Sequence, residues 1–183
     1  MRHIENRYVH ERLGLELALR LIRFEARTCT IRHCTGLTDD RIRKLYRTYI
    51  AGGGETEVTR RRGKSPREIE SVLRNADVQK QASLIAGAFA SHGLLRGDNK
   101  KSVKIDVRLA QQLCDAYDFY ARLLTEAPLS FEHAWFLWLS LTKGSDLVLH
   151  PCAHCEGFAV QDRYSIRQRP CPWCGQKNEV ASR

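Results

Sequence analysis

The chain has 183 residues, 43% hydrophobic and 28% charged, which is the composition of an ordinary soluble protein with one compact domain and a small appendage, and which excludes a disordered or fibrous chain. It shows neither a secretory signal peptide nor a transmembrane stretch, so a cytoplasmic protein without a membrane partner is expected. The formal charge of +9 directs attention to polyanions, because a surplus of Lys and Arg favours nucleic acid, an anionic membrane or an acidic protein partner.

From Glu11 to Arg27 the polar residues Arg12, Glu16, Arg20, Arg23 and Arg27 recur every three or four positions among leucines, which predicts a helix with a wide apolar face and a narrow charged stripe. That face is covered either by the chain's own core or by another subunit, and Leu15 and Leu19 are trial positions for the second case. Thr38 can cap a following helix that carries Asp39 and Asp40 in its first turn, buries Ile42, Leu45 and Tyr46, and exposes Arg41, Arg43, Lys44 and Arg47. With Gly36 in the preceding turn the layout is that of a helix-turn-helix, although Arg32 stands where a small residue usually lets two helices close. A basic solvated helix is the plainer alternative.

Ala51-Gly52-Gly53-Gly54 opens a flexible connection that runs into Arg60, Arg61, Arg62 and Lys64. Between Arg41 and Arg67 nine basic residues stand against Glu55 and Glu57, a net of +7 that nearly accounts for the whole chain. A mobile arm of this composition reaches phosphates without reading bases, so double-stranded DNA is the expected partner, with Arg41, Arg43, Lys44, Arg47, Arg60, Arg61, Arg62 and Lys64 as its contacts. A loop kept soluble by its charge is the alternative. Ser65-Pro66-Arg67-Glu68 carries the signs of a helix start, with Ser as cap. A further helix turns Val78, Ala82, Ile85 and Phe89 inward and ends near Gly93, and Lys100, Lys101 and Lys104 form a weaker basic patch. Asp106 can cap a helix burying Leu109, Leu113, Ala116, Tyr120 and Leu124, and Ser130 opens the last helix, where Phe131, Trp135 and Trp138 read as core rather than as a stacking platform.

Near the C-terminus Cys152-Ala-His-Cys155 and Cys171-Pro-Trp-Cys174 are separated by fifteen residues. Such paired thiols read as one tetrahedral thiolate site, with zinc as its ion, one per chain. Gly157 and Gly175 let the turns relax into positive φ. The alternation of Phe158, Val160, Asp162, Tyr164 and Ile166 predicts a small β-hairpin between the pairs, as in a zinc ribbon. Cys29, Cys34 and Cys114 bring the total to an odd seven, which argues against a disulfide framework, and the lack of a βαβ pattern argues against a thioredoxin-like redox pair. Iron held by four thiolates stays open. His150 and His154 are bystanders, since four thiols complete the coordination and leave no position for a substrate water. The expected organisation is therefore mainly α, with a helical domain over 1–150 that includes the helix-turn-helix-like element and a zinc-ribbon-like module over 151–183. His33 beside Cys34 lacks an orienting third group, so no enzyme is expected.

In order and spacing over nearly the whole chain these residues resemble the FlhC family of flagellar transcriptional activator subunits. The likeness lies in the leucine- and arginine-rich first helix through Ala26-Arg27, then Leu37-Thr-Asp-Asp-Arg41-Ile42-Arg43-Lys44-Leu45-Tyr46, the helices around Ala82 to Phe89 and Tyr117 to Tyr120, Ala134-Trp135 and the two Cys pairs. The resemblance implies a transcription factor that assembles with an FlhD-like partner, four of the partner and two of this subunit in a heterohexamer, and acts through RNA polymerase at flagellar promoters. By position it implies Cys152, Cys155, Cys171 and Cys174 as zinc ligands. The basic, glycine-rich connection from Gly52 to Lys64 departs from the family pattern and leaves open a diverged paralogue that controls other genes. A rubredoxin-like electron carrier and a zinc-ribbon adaptor that binds protein only are the alternatives from other classes.

Overall fold

A computed structural model describes residues 2–50, 58–61, 63, 65–95, 105–124 and 129–177. The leucine-rich stretch forms helix α1 (Arg2–Arg23), which starts earlier and ends sooner than its polar period predicts. Glu25 adopts a left-handed φ of 56°, and Arg27 is already extended at the start of α2 (Thr28–Thr35), so the last residue of the predicted stripe lies outside the helix. Arg12 pairs with Glu16 at 3.5 Å, and Arg20 reaches Asp115 at 2.6 Å. On the other face Leu17, Ala18, Leu21 and Ile22 are buried within the chain itself. Leu13, Leu15 and Leu19 are half-buried, and Tyr8 and Val9 are exposed.

Gly36 caps α2 in the left-handed conformation, and three residues later α3 (Asp39–Leu45) begins. Its Thr38 cap accepts from the Arg41 N–H, as expected, and Asp39 and Asp40 occupy the first turn. A π-helical turn, Tyr46–Ile50, continues it. Ile42, Leu45 and Tyr46 are buried, with the Tyr46 hydroxyl donating to the Ala26 carbonyl at 3.3 Å. Arg32 does not obstruct this helix-turn-helix-like pair, because its side chain turns outward and meets Asp39 at 3.3 Å, leaving Ile31 and Cys34 to face inward.

The chain divides into two compact units, Met1–Lys64 with Lys104–Asp115 and Ser65–Val103 with Ala116–Arg183. The boundary expected at residue 150 lies inside a strand. In the second unit Ser65 does not cap a helix at Pro66; its hydroxyl is spent on Glu132, 2.8 Å away, and the short α4 (Glu70–Leu73) forms only later. Helix α5 (Ala76–Ser91), capped by Asn75, buries Val78, Ala82, Ile85 and Phe89 as its period predicts, and Gly93 follows with φ 68°. Helix α6 (Val107–Leu123) is capped by Asp106, which accepts from the Leu109 N–H at 2.8 Å, and it contributes to both units. Helix α7 (Phe131–Lys143) opens on a reciprocal cap between Ser130 and His133 and buries Phe131, Trp135 and Trp138, so the tryptophans are core. No helix among the described residues is long and apolar enough to cross a membrane.

Strands β1 (Leu147–Pro151) and β2 (Phe158–Asp162) form an antiparallel hairpin, with Leu147 opposite Asp162 and Pro151 opposite Phe158. It encloses the first Cys pair instead of joining the two pairs. The predicted alternation stops at Asp162 because its carboxylate accepts from the Tyr164 N–H at 2.9 Å and turns the chain, which leaves Tyr164 and Ile166 in an exposed loop. The far edge of β2 lies on α5. There the Val160 N–H donates to Ser83 Oγ at 3.0 Å, Ser83 Oγ donates to the Gln79 carbonyl at 2.7 Å, and Gln79 Nε2 donates to the Val160 carbonyl at 2.9 Å. All three residues are buried, so this closed ring satisfies both outward backbone groups of Val160 where water cannot.

Candidate metal centre and basic surface

Each Cys pair is folded by the same backbone device. The Glu156 N–H donates to the Cys152 carbonyl at 2.9 Å and the Cys152 N–H to the Gly157 carbonyl at 3.0 Å; the Gly175 N–H donates to the Cys171 carbonyl at 2.9 Å and the Cys171 N–H to the Gln176 carbonyl at 2.8 Å. The positive φ falls on the residue right after each second cysteine, 58° at Glu156 and 74° at Gly175. Gly157 was therefore assigned the wrong role by sequence. It is needed for space: a Cβ there would stand 2.8 Å from Trp173 Cδ1 and 3.4 Å from Cys155 Sγ. The Trp173 indole crosses from the second knuckle to the first, donating Nε1–H to the Phe158 carbonyl at 2.8 Å, with the Lys80 ammonium 5.6 Å from its ring centre.

These folds bring the sulfurs of Cys152, Cys155, Cys171 and Cys174 within 4.8 Å of one another. Cys152 and Cys174 are 3.7 Å apart, as are Cys155 and Cys171. A disulfide requires about 2.05 Å, so none is formed among them. A zinc–sulfur bond of about 2.3 Å, set tetrahedrally, requires sulfur edges of about 3.8 Å. The four cysteines thus fit a metal ion in a closed, all-thiolate cage. Each knuckle supplies one buried thiol, Cys152 or Cys171, and one exposed thiol, Cys155 or Cys174. Backbone N–H groups orient the buried pair, from His154 to Cys152 Sγ and from Trp173 to Cys171 Sγ, both at 3.4 Å. His150 turns Nδ1 to the Pro151 carbonyl, 2.8 Å away, and neither it nor His154 belongs to the cluster.

The thiols ionise unequally. The Cys155 and His154 backbone N–H groups draw Cys152 down to about 6. At Cys155 the Gly157 N–H acts in the same direction, but desolvation and the neighbouring thiols outweigh it and push that thiol up to about 12. Packed thiols resist collective ionisation, and a dication at their centre removes that resistance by supplying the opposite charge.

Replacing Gly157 with Ala is expected to displace the Trp173 ring and break its bond to Phe158, at a cost of about 1–3 kcal/mol. Thermal unfolding with and without metal measures the cost, and the emission of Trp173 reports the displacement, since Trp135 and Trp138 are buried. An unchanged unfolding curve and emission maximum would show that the knuckles accommodate the methyl group freely.

The basic residues expected at DNA divide into two sets. Arg41 is paired with Glu11 at 2.6 Å, Arg43 with Asp40 at 2.8 Å and Arg61 with Glu25 at 2.8 Å. Arg60 lies over the Tyr46 ring at 5.5 Å and reaches the Thr28 hydroxyl at 3.4 Å. Thr59 also donates its N–H to Glu25, so residues 59–61 of the expected mobile arm are hydrogen-bonded to Glu25 and Thr28, while its residues 51–57, 62 and 64 lie outside the described residues. Lys44 and Arg47 are exposed and have no ion-pair or hydrogen-bond partner among the described residues. Arg62, Lys64, Lys100, Lys101 and Lys104 lie outside the described residues.

Sequence reading missed Gln79 and Ser83, the helix side chains that anchor the cysteine-bearing hairpin. Their signal is a polar pair four residues apart on the face of α5 that is otherwise apolar. No protein-family model matches this chain, and no curated protein matches it.

Proposed function

We propose that the chain is a DNA-binding subunit of a transcriptional activator, with its C-terminal region held by one structural zinc ion. The observation that carries this reading is the pair Lys44 and Arg47, exposed and without an ion-pair partner among the described residues, at the end of the second helix of a helix-turn-helix-like element. Free cations there are available to phosphates, whereas Arg41, Arg43 and Arg61 must first give up a carboxylate. The all-thiolate cage supports a structural ion, because it offers no open position to a substrate. The resemblance to FlhC supports flagellar promoters as targets, RNA polymerase as the machinery engaged and an FlhD-like protein as partner, in the cytoplasm. Tyr8 and Val9, exposed on α1 together with the half-buried Leu15 and Leu19, offer apolar surface for that partner.

The test is a salt titration of a labelled flagellar-promoter duplex against the chain co-purified with an FlhD-like partner. Lys44→Gln with Arg47→Gln is expected to lower the slope of log affinity against log salt by about one per side chain, and Arg61→Gln, already compensated by Glu25, to lower it less. An unchanged slope in the double variant would make this helix a solvated face and remove the support for DNA binding.

A further inference from the structure

From Arg163 to Lys177 the chain carries Arg163, Arg167, Arg169 and Lys177 and no acidic residue. The first part of this stretch is the loop between β2 and the second knuckle, and hydrogen bonds fix its shape. The Tyr164 N–H donates to Asp162 at 2.9 Å, the Ser165 hydroxyl to the Arg167 carbonyl at 2.7 Å, and the Gln161 side chain to the Arg169 carbonyl at 3.1 Å. What this ordered loop presents is apolar: Ile166 is 98% exposed and Tyr164 71% exposed. An isoleucine with its whole side chain in water contributes nothing to the core, so folding does not account for its place at the tip.

The cations around that tip are unequally engaged. Arg169 is held by Glu70 at 2.9 Å, and the Arg163 guanidinium lies beside Gly144 at the carbonyl end of α7. Arg167 and Lys177 are exposed and form no ion pair among the described residues. We propose that this loop is a second contact for duplex DNA, in which Ile166 enters the minor groove as an apolar wedge while Arg167 and Lys177 take the flanking phosphates. The inference rests on the DNA-binding reading above and adds a surface to it. Duplex DNA fits better than an acidic protein because a protein anchor needs a rim of several apolar neighbours, and between Arg163 and Arg169 Tyr164 is the one apolar side chain besides Ile166, which is flanked directly by Ser165 and Arg167. A groove that attracts arginine and admits one apolar side chain between base steps asks for no such rim.

The experiment uses the full chain co-purified with the FlhD-like partner and a 25-base-pair duplex with central TA steps, labelled at both ends so that anisotropy reports binding and energy transfer reports bending. Ile166→Ser is expected to weaken binding about tenfold and to reduce the bend with the salt slope unchanged, because the lost contact carries no charge. Arg167→Gln with Lys177→Gln is expected to lower the slope by about one per side chain. All three side chains are exposed, so metal content and unfolding temperature should stay as in the wild type. If the slope responds to Lys44 and Arg47 but none of the loop changes alters affinity, slope or bend, the loop assignment falls and the parent reading stands. If the wild-type chain binds no duplex, both fall. If the loop changes instead weaken binding of a labelled poly-glutamate peptide and leave the duplex untouched, the loop belongs to an acidic protein surface and the inference is overturned.

Discussion

Cys152→Ser is expected to abolish stoichiometric metal binding and to unfold the two knuckles while the helices persist. Four thiols are positioned to hold one ion, and a structural zinc site contributes about 10–16 kcal/mol of apparent binding free energy in isolated zinc-finger peptides, far more than the local hydrogen bonds here can replace. Cys152 is also buried and accepts the His154 N–H, so the serine hydroxyl would be confined where the sulfur was. Trypsin gives a direct measurement, because Arg167 and Lys177 lie in or beside the region that loosens. Cleavage there should accelerate in the variant and in wild-type protein treated with a chelator, with the far-UV helix signal nearly unchanged. Wild-type protein should contain one zinc per chain and be colourless. A red protein would establish ferric tetrathiolate in place of zinc, and full metal content in Cys171→Ser with Cys174→Ser would remove the ligand assignment altogether.

Trp138→Ala is expected to cost about 3–5 kcal/mol, a large part of the roughly 5–15 kcal/mol by which proteins of this kind are stable. Its side chain is 1% exposed, its ring lies 5.7 Å from that of Trp135, and its Nε1–H donates to the Leu94 carbonyl at 3.3 Å. Truncation therefore opens a cavity and also deprives a buried carbonyl of its donor. Urea unfolding followed by circular dichroism measures the loss, with zinc content as a second readout that should hold under native conditions. A loss below about 1 kcal/mol would contradict the placement of this indole in the core.

The caps and the thiols were legible in sequence because both depend on short separations. Thr38, Asp106 and Ser130 act on backbone groups a few residues away, and two cysteines three apart already define half of a cage. Partners distant in sequence were hidden. Arg41 meets Glu11 and Arg61 meets Glu25 only after α1, α2 and the later chain have packed, so net charge overstated how many cations are free. The hairpin was misplaced for a related reason: alternation identifies a strand but does not name its neighbour, and Leu147–Pro151 precedes the pair that it encloses. Gly157 was misread because the obstacle to a side chain there is Trp173, which sequence leaves unplaced.

The ring of hydrogen bonds among Gln79, Ser83 and Val160 has a consequence for modularity. A metal ribbon is commonly imagined as a cassette, to be excised or moved between scaffolds with its ligands intact. This one is riveted to its helix. Transplanted alone, it would carry two bare backbone groups at Val160, and the helix left behind would show Gln79 and Ser83 on a face that had been dry. The smallest portable piece is then α5 and the ribbon together, and divergence at Gln79 or Ser83 is constrained by a strand some eighty residues further along the chain.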